Sequence, residues 1–100
     1  MRFEFDWDPA KAASNRAKHG VAFDEAMAVF ADPLALSRLD EDREGIEERW
    51  ITMGAAGTGR LLLVVHTHVE LNEDRIAVRI ISARPATRRE ARQYEEGMRL

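Results

Sequence analysis

Apolar and polar residues alternate at every second position in several short stretches of this chain, a spacing typical of half-buried β-strands. The first stretch, RFEFDW, places Phe3, Phe5 and Trp7 on one side. Four further strands are predicted by LALSRL, ERWITMG, RLLLVVHTHV and RIAVRIIS, of which RLLLVVHTHV is the most apolar and favours a central position. Because only short connections separate the last three strands, we expect them to form an antiparallel meander.

Two segments near the N-terminus carry helix signals instead. Asp8 followed by Pro9 predicts a helix start, and Gly20 predicts that this helix ends near His19. The segment FDEAMAVFADP predicts a second short helix. It should stop before Pro33, because the residue before a proline avoids helical geometry.

A capping box near the C-terminus predicts a third helix, since Thr87 and Glu90 stand three residues apart after the strand-like IIS. The predicted order of elements is β-α-α-β-β-β-β-α. This order indicates an α+β fold with a mainly antiparallel twisted sheet and helices packed on one face.

Length and composition narrow the class of protein. One hundred residues with 45% apolar content indicate a single domain spanning residues 1–100. The absence of cysteine excludes a disulfide framework and a thiolate site, and His66 with His68 lacks an evident third metal ligand. No apolar run approaches the roughly 18 residues of a membrane span, and acidic residues interrupt the N-terminal segment. We therefore expect a cytoplasmic protein without membrane contact.

Charge is distributed unevenly along the chain, although the net charge is only −3. Residues 1–74 hold 8 basic and 15 acidic residues (−7), whereas residues 75–100 hold 7 Arg and 3 Glu (+4). This asymmetry indicates one basic surface on an acidic body. Thirteen of the 15 basic residues are Arg, whose fork binds phosphate in a bidentate manner, although a GC-rich genome gives the same excess.

Alternation within two predicted strands brings several arginines to one surface. In RIAVRIIS, Ile76 and Val78 face one side while Arg75 and Arg79 face the other. If helices cover the first side, pairing with ERWITMG places Arg49 on the same open surface. The stretch AAGTGR lacks the context of a phosphate-binding loop and is interpreted as a hairpin turn.

Three blocks of the chain resemble the BrnT family of bacterial toxins: FDWDPAKAASNRAKHGVAFDEAMAVFADP, EERWITMG with GRLLLVVHT, and RIISARPATRREARQYEE. The matching residues are Trp7, Asp8, Lys11, Asn15, Lys18, His19, Gly20, Phe23, Glu48, Arg49, Gly54, Ile81, Ser82, Ala83, Arg84, Ala86 and Glu90. The chain departs from the family pattern at Ala22, His66, Val69 and Ala91, and Ala22 replaces a usual helix-capping Ser.

The resemblance implies a RelE-like fold and a metal-independent endoribonuclease that cleaves RNA and arrests growth, with no cofactor. It also implies a BrnA-like antitoxin partner with a ribbon-helix-helix motif. Toxin and antitoxin together would repress their own operon, so operator DNA would be contacted only through the antitoxin.

Metal-free RNA cleavage needs a base for the 2′-hydroxyl, cations around the pentavalent phosphorane and an acid for the leaving oxygen. Arginines suit the second task, Glu48 is the predicted base or arginine-orienting group, and His19 the predicted acid or base. Tyr94 is expected to stack on a base, and basic side chains to hold the backbone. The predicted catalytic residues are His19, Glu48, Arg49, Arg79 and Arg84, and the predicted RNA-binding residues are Lys11, Lys18, Arg88 and Tyr94.

Four of these residues also have a structural interpretation. Glu48 and Arg49 suit a cross-strand ion pair, Arg84 suits the strand–helix joint, and His19 suits a helix C-terminus. At the level of the whole chain, the alternative is a protein-binding module or co-repressor whose arginines seat an acidic antitoxin segment. A direct DNA-binding regulator is less favoured, because no helix-turn-helix pattern is visible.

Overall fold

The computed structural model describes residues 1–41 and 47–97. Its elements in chain order are β1 (Arg2–Asp6), α1 (Pro9–His19), α2 (Phe23–Met27), a 3₁₀ turn (Ala28–Ala31), β2 (Leu36–Leu39), β3 (Trp50–Ala55), β4 (Leu61–His66), β5 (Val69–Glu70), β6 (Arg75–Pro85) and α3 (Arg88–Glu96). Every predicted strand and helix is present, and the two-residue β5 is an addition. The α+β class is therefore confirmed, with one more strand than predicted.

The sheet has the strand order β1-β6-β4-β3-β2, with β5 paired to β6 beside this path. β1 runs parallel to β6, and all other pairs are antiparallel. The predicted meander is confirmed as β3-β4-β6. β4 lies between the strands of Arg49 and Arg79, so these two strands do not pair with each other.

Thr67 explains why RLLLVVHTHV forms two strands rather than one. Its N–H donates to the carbonyl of Arg79 at 3.0 Å, and its own Oγ1 accepts the Arg79 N–H at 3.0 Å. A side-chain oxygen thus takes the place of a main-chain acceptor, so the ladder is interrupted. Pairing resumes at Val69, which lies opposite Ala77.

The two faces of the sheet are covered by different helices. On the first face, α1 and α2 cover a core that includes Phe23, Val64 and Val78. On the second face, Ile51, Met53 and Leu63 pack against Ala86 and Tyr94. α3 therefore lies opposite α1 and α2, and the prediction that all helices pack on one face is wrong.

A bulge in β6 accounts for this arrangement. Val65 lies opposite Ser82 whereas His66 lies opposite Ile80, so one residue of β6 is extra. Ile80 and Ala83, three positions apart, consequently both face the first core. Arg84 then points to the second face, where the chain continues into α3.

The helix ends follow their sequence signals. The Asp8 carboxylate accepts the Ala10 N–H at 2.9 Å, and Gly20 ends α1 with a φ of 69°. Thr87 and Glu90 form the predicted capping box of α3. At α2, Ala22 has the extended geometry of an N-cap but no side-chain hydrogen bond.

Asn15 fastens α1 to β6. It is only 6% exposed, and its side-chain NH₂ donates to the carbonyls of Val21 at 3.0 Å and Ala83 at 2.8 Å. Its Oδ1 accepts the Ala83 N–H at 3.1 Å. Asn15 therefore turns inward from α1 and acts as a main-chain partner for β6.

Asp32 joins the 3₁₀ turn to β3 and α3. Its carboxylate accepts hydrogen bonds from Leu34 N–H at 2.9 Å, Ala55 N–H at 2.8 Å and Tyr94 O–H at 2.6 Å. A Cβ on Gly54 would lie 3.2 Å from this carboxylate and 3.0 Å from Val29. Glycine at position 54 thus permits the close approach of the turn to β3.

A chain of hydrogen bonds crosses β2, β3 and β4, from the exposed Ser37 to the buried Thr52 and His66. Ser37 Oγ lies 2.8 Å from Thr52 Oγ1, which lies 2.7 Å from His66 Nε2. His66 Nδ1 lies 2.8 Å from the carbonyl of Thr67. Burial lowers the pKa of His66 to about 4, against the opposing effect of its bond to Thr67.

The missing cap at α2 offers a test of local stability. We expect Ala22→Ser to raise the free energy of unfolding by about 1 kcal/mol, because a Ser hydroxyl accepts an N–H left unpaired in the first turn. Urea denaturation measures the change. Ala13→Ser at an exposed position of α1 is the control, and an equal or larger gain there would contradict the capping explanation.

The lowered pKa of His66 makes stability depend on pH. Between pH 6.5 and about 4 the unfolded chain binds a proton at His66 that the folded state does not. The contribution of the neutral His66 to stability is therefore fully present above pH 6.5 and decreases as the pH falls towards 4. We expect the free energy of unfolding to fall by about 2 kcal/mol between pH 7 and pH 5. In His66→Gln this fall should disappear. An unchanged pH dependence in that variant would refute the attribution of the fall to His66.

Candidate functional site: an arginine cleft on the second face

The clearest concentration of cationic side chains is a cleft of about 340 Å³ between α3 and the second face of the sheet. Its lining includes Arg38, Ile51, Leu63, Arg84, Arg89 and Glu90. We call it the arginine cleft. Three arginines from β2, β6 and α3 therefore surround an apolar floor.

Arg84 is held in place by a bidentate ion pair. Its two terminal nitrogens lie 2.8 and 2.9 Å from the two carboxylate oxygens of Glu90, and one of them also donates to the Pro85 carbonyl at 3.2 Å. Glu90 is fixed in turn, because its Oε1 accepts the Thr87 N–H at 2.8 Å. The same carboxylate thus completes the capping box of α3 and orients Arg84.

This pairing decides the protonation of Glu90. The hydrogen bonds from Arg84, followed by those from Thr87, outweigh partial burial and lower the pKa of Glu90 to about 2. The pKa of Arg84 is raised by the same partner. Glu90 is therefore a permanently charged positioning group and a poor proton acceptor near neutral pH.

Arg38 and Arg89 are more open to incoming ligands. Both are exposed, and Arg38 makes one long hydrogen bond of 3.4 Å to the neighbouring Leu39 carbonyl. Within residues 1–41 and 47–97, Arg89 has no ion-pair partner. Their guanidinium groups are available for an anion that enters the cleft.

Arg49 directly precedes β3 and is not part of the lining of this cleft. The strand alternation places it on the same side as Ile51, and its carbonyl accepts the Asp40 N–H at 2.8 Å. Its Nε is buried, with no hydrogen-bond partner among the described residues. Glu48 is exposed, and the predicted Glu48–Arg49 ion pair is absent from the described part of the chain.

Arg79 shares the second face but lies farther along β6. Its terminal nitrogen is 3.1 Å from Asp6 Oδ2 on β1, and both side chains are largely exposed. This pair is weak, because exposed ion pairs are solvated and screened. Arg75 is held by more contacts, because its Nε and one terminal nitrogen donate to the two carboxylate oxygens of Glu4 on β1.

The remaining predicted residues do not converge on one point. Lys11, Lys18 and His19 lie on α1, which covers the first face. Arg88 is exposed in the first turn of α3, whereas Tyr94 packs on the second core with its hydroxyl bonded to Asp32. The structure therefore places Arg84 in the arginine cleft and Arg49 in the segment before β3, and it leaves the α1 group on the opposite side of the sheet. The roles predicted for all of these residues stay predictions.

Sequence reasoning missed two residues of the cleft, Arg38 and Arg89. Arg38 lies two positions after Leu36 in LALSRL and so shares its face of the strand, which is a signal that the sequence contained. Its position beside Arg84 depends on the β2–β3 register, which pairs it with Ile51. Arg89 lines the cleft and Arg88 does not. The sequence does not distinguish these neighbours, because the difference depends on which side of α3 faces the sheet.

Within the described residues, no group of three or more His, Asp or Glu side chains is arranged to hold a metal ion. None of the helices that the structure describes is long and apolar enough to cross a membrane.

Comparison with known proteins agrees with the resemblance seen in the sequence. The model of a family described as "Ribonuclease toxin, BrnT, of type II toxin-antitoxin system" matches residues 7–90. Among curated proteins, none matches this chain. The crystal structure of the Brucella abortus ribonuclease toxin BrnT has a similar fold, with a TM-score of 0.59 and 20% sequence identity, covering 87% of this chain and 100% of that one.

The ion pair between Glu90 and Arg84 leads to a prediction about stability. We expect Glu90→Gln to lower the free energy of unfolding at pH 7 by about 1–2 kcal/mol, a value reduced for the partial exposure of Arg84. Since the pKa of Glu90 is about 2 instead of 4.5, the difference from the native chain should be full above pH 4.5 and shrink as the pH falls towards 2.

Urea denaturation at pH 7 and pH 3 measures this difference. The matched control is Glu95→Gln, which removes one charge from an exposed position of the same helix. A control variant as unstable as Glu90→Gln would show that net charge, and not the ion pair, is responsible.

Proposed function

The chain belongs to the BrnT family of ribonuclease toxins of type II toxin–antitoxin systems, and we propose that it is a metal-independent endoribonuclease that binds RNA phosphate in the arginine cleft. One observation carries the proposal. Arg84 is preoriented by a bidentate carboxylate while the exposed Arg38 and Arg89 line the same cleft. Preoriented cations are what a phosphorane transition state requires.

The reaction proposed is transesterification within the RNA backbone. The 2′-oxygen forms a bond to phosphorus, the bond to the 5′-oxygen breaks, and the products are a 2′,3′-cyclic phosphate and a 5′-hydroxyl. Arg84 and the neighbouring arginines bind the non-bridging oxygens, whose charge grows as the phosphorane forms. Arg49 extends this positive surface beside Ile51, and Arg79 extends it along β6.

Proton transfer needs groups other than Glu90, whose pKa of about 2 makes it a poor base. Glu48 is the proposed base, because it is exposed and adjoins Arg49 in the segment before β3. His19 remains the second proposed acid–base group, on the first face. Lys11, Lys18, Arg88 and Tyr94 are proposed to contact more distant parts of the RNA.

The wider biology is part of the same proposal. The chain would act as one toxin domain in the cytoplasm, with a RelE-like fold, and would arrest growth when free. A BrnA-like ribbon-helix-helix antitoxin would neutralise it, and the pair would bind operator DNA through the antitoxin.

A second candidate function is a catalytically weak binding module or co-repressor. The observation that favours it is the Glu90 carboxylate itself, which already fits the fork of Arg84 with two hydrogen bonds. An acidic antitoxin segment offers the same chemistry to Arg38 and Arg89. Occupation of the cleft by such a segment would also exclude RNA.

Expression of the chain without a partner tests the proposal directly. We compare the native chain, an Arg38→Ala/Arg89→Ala variant and the exposed α3 control Arg92→Ala. Growth arrest and RNA fragments are expected for the native chain and the control. Cleavage by the purified double variant should fall by at least about tenfold, because transition-state contacts to phosphate are lost.

Purified protein treated with EDTA tests metal independence, and 2′,3′-cyclic phosphate ends test the reaction. Arg79→Ala/Arg84→Ala, checked for folding by circular dichroism, extends the test to β6. Intact RNA and normal growth with soluble native protein would refute the ribonuclease proposal. The binding-module function would then be favoured.

A further inference from the structure

A second cavity lies on the first face of the sheet, away from the arginine cleft. Its volume is about 260 Å³, and five aromatic rings form much of its lining: Phe3, Phe30, Trp50, His66 and His68. Ser37, Thr52 and His66 contribute its polar atoms. We call this cavity the aromatic pocket.

The hydrogen-bonded chain at this pocket has a defined direction. The Thr67 carbonyl can only accept, so His66 Nδ1 carries the proton that it donates. Because burial keeps the imidazole neutral, Nε2 has a lone pair and accepts from the Thr52 hydroxyl. Thr52 has used its only hydrogen, so its oxygen accepts from the Ser37 hydroxyl.

Ser37 is therefore the end of the chain and presents only lone pairs to the pocket. A ligand that donates an N–H group satisfies this oxygen, whereas a ligand with only acceptors does not. The chemistry of the pocket thus selects for a hydrogen-bond donor. This selectivity follows from the carbonyl of Thr67, which fixes the tautomer two side chains away.

Size and shape narrow the ligand further. Pockets for drug-sized ligands occupy roughly 300–1,000 Å³, so this one suits a smaller group, of the size of one nucleobase. Trp50 is half-buried and His68 exposed, with ring centroids 6.4 Å apart. Unstacked bases of single-stranded RNA bind to aromatic side chains of this kind.

The pocket and the arginine cleft meet at one edge strand. β2 forms an end of the sheet path, and its adjacent residues Ser37 and Arg38 face opposite sides. Ser37 lines the pocket, and Arg38 lines the cleft. An RNA strand that crosses this edge can place phosphate against Arg38 and a neighbouring base in the pocket.

We propose that the aromatic pocket binds a single nucleobase that carries an amino group, such as adenine, through stacking on Trp50 and an N–H···O bond to Ser37 Oγ. This inference rests on the proposed ribonuclease function and names its base-recognition site. Thr52 and His66 act as positioning residues, because they orient the Ser37 hydroxyl without contacting the base.

Binding of non-cleavable RNA analogues tests this site. The probes are two short 2′-O-methyl oligonucleotides of equal length. One carries adenine at every position, and the other carries unsubstituted purine, which lacks the amino group, at every position. The native chain should bind the adenine probe about three- to tenfold more tightly in calorimetric titration, the difference expected for one hydrogen bond.

Variants assign this preference to particular side chains. Ser37→Ala should abolish it, whereas Ser14→Ala, an exposed serine on α1, should preserve it. Trp50→Ala should weaken both probes by about five- to 100-fold, and His68→Ala serves as the exposed second variant for stacking. Equal binding of the two probes to the native chain, no binding of either, or an unchanged preference in Ser37→Ala would each overturn the proposal.

RNA cleavage by the same preparations separates this inference from the proposed function. Cleavage by the native chain together with absent base discrimination would overturn the pocket assignment and leave the ribonuclease intact. Discrimination without cleavage would overturn the ribonuclease and leave the pocket assigned. A third outcome is that the native chain does not distinguish the two probes but binds a co-expressed protein, and that Trp50→Ala blocks this binding. That result would overturn the proposal and indicate that the pocket binds a protein partner.

Discussion

The pair of hydrogen bonds between the Asn15 side chain and the backbone of Ala83 is the constraint on which the rest of the molecule depends. β1 pairs with β6 only as far as Arg79, so the N–H and carbonyl of Ala83 need another partner on that side. A buried amide supplies both, at a site where an unpaired group costs about 1–3 kcal/mol. α1 is thereby fixed to β6 one residue before Arg84.

The position of Arg84 then follows from the bulge in β6 and from the helix that comes after it. The bulge in β6 directs its side chain to the second face, and the chain enters α3 directly afterwards. Glu90 binds both Arg84 and the Thr87 N–H, so one carboxylate caps the helix and orients the guanidinium. Helix stability and the geometry of the arginine cleft are therefore coupled.

The two cavities use one edge strand in different ways. Ser37 and Arg38 are neighbours in β2, yet one ends a neutral hydrogen-bonded chain and the other lines a cationic cleft. A single-stranded ligand that wraps this edge would encounter charge on one side and aromatic rings on the other.

Local signals in the sequence determined the elements of this protein. The Asp8 cap, the turn at Gly20 and the capping box of α3 act over a few residues, and strand alternation acts within one segment, so all were readable without tertiary information. The resemblance of three sequence blocks likewise identified the family.

By contrast, the bulge in β6 left α3 on the unexpected face, since a register shift depends on the partner strand. Arg38 joined Arg84 through the pairing of β2 with β3, and Asn15 turned inward to serve a strand 68 residues away. Only the tertiary structure decided the face of α3, the position of Arg38 and the direction of the Asn15 side chain, because each depends on long-range pairing that no local pattern encodes.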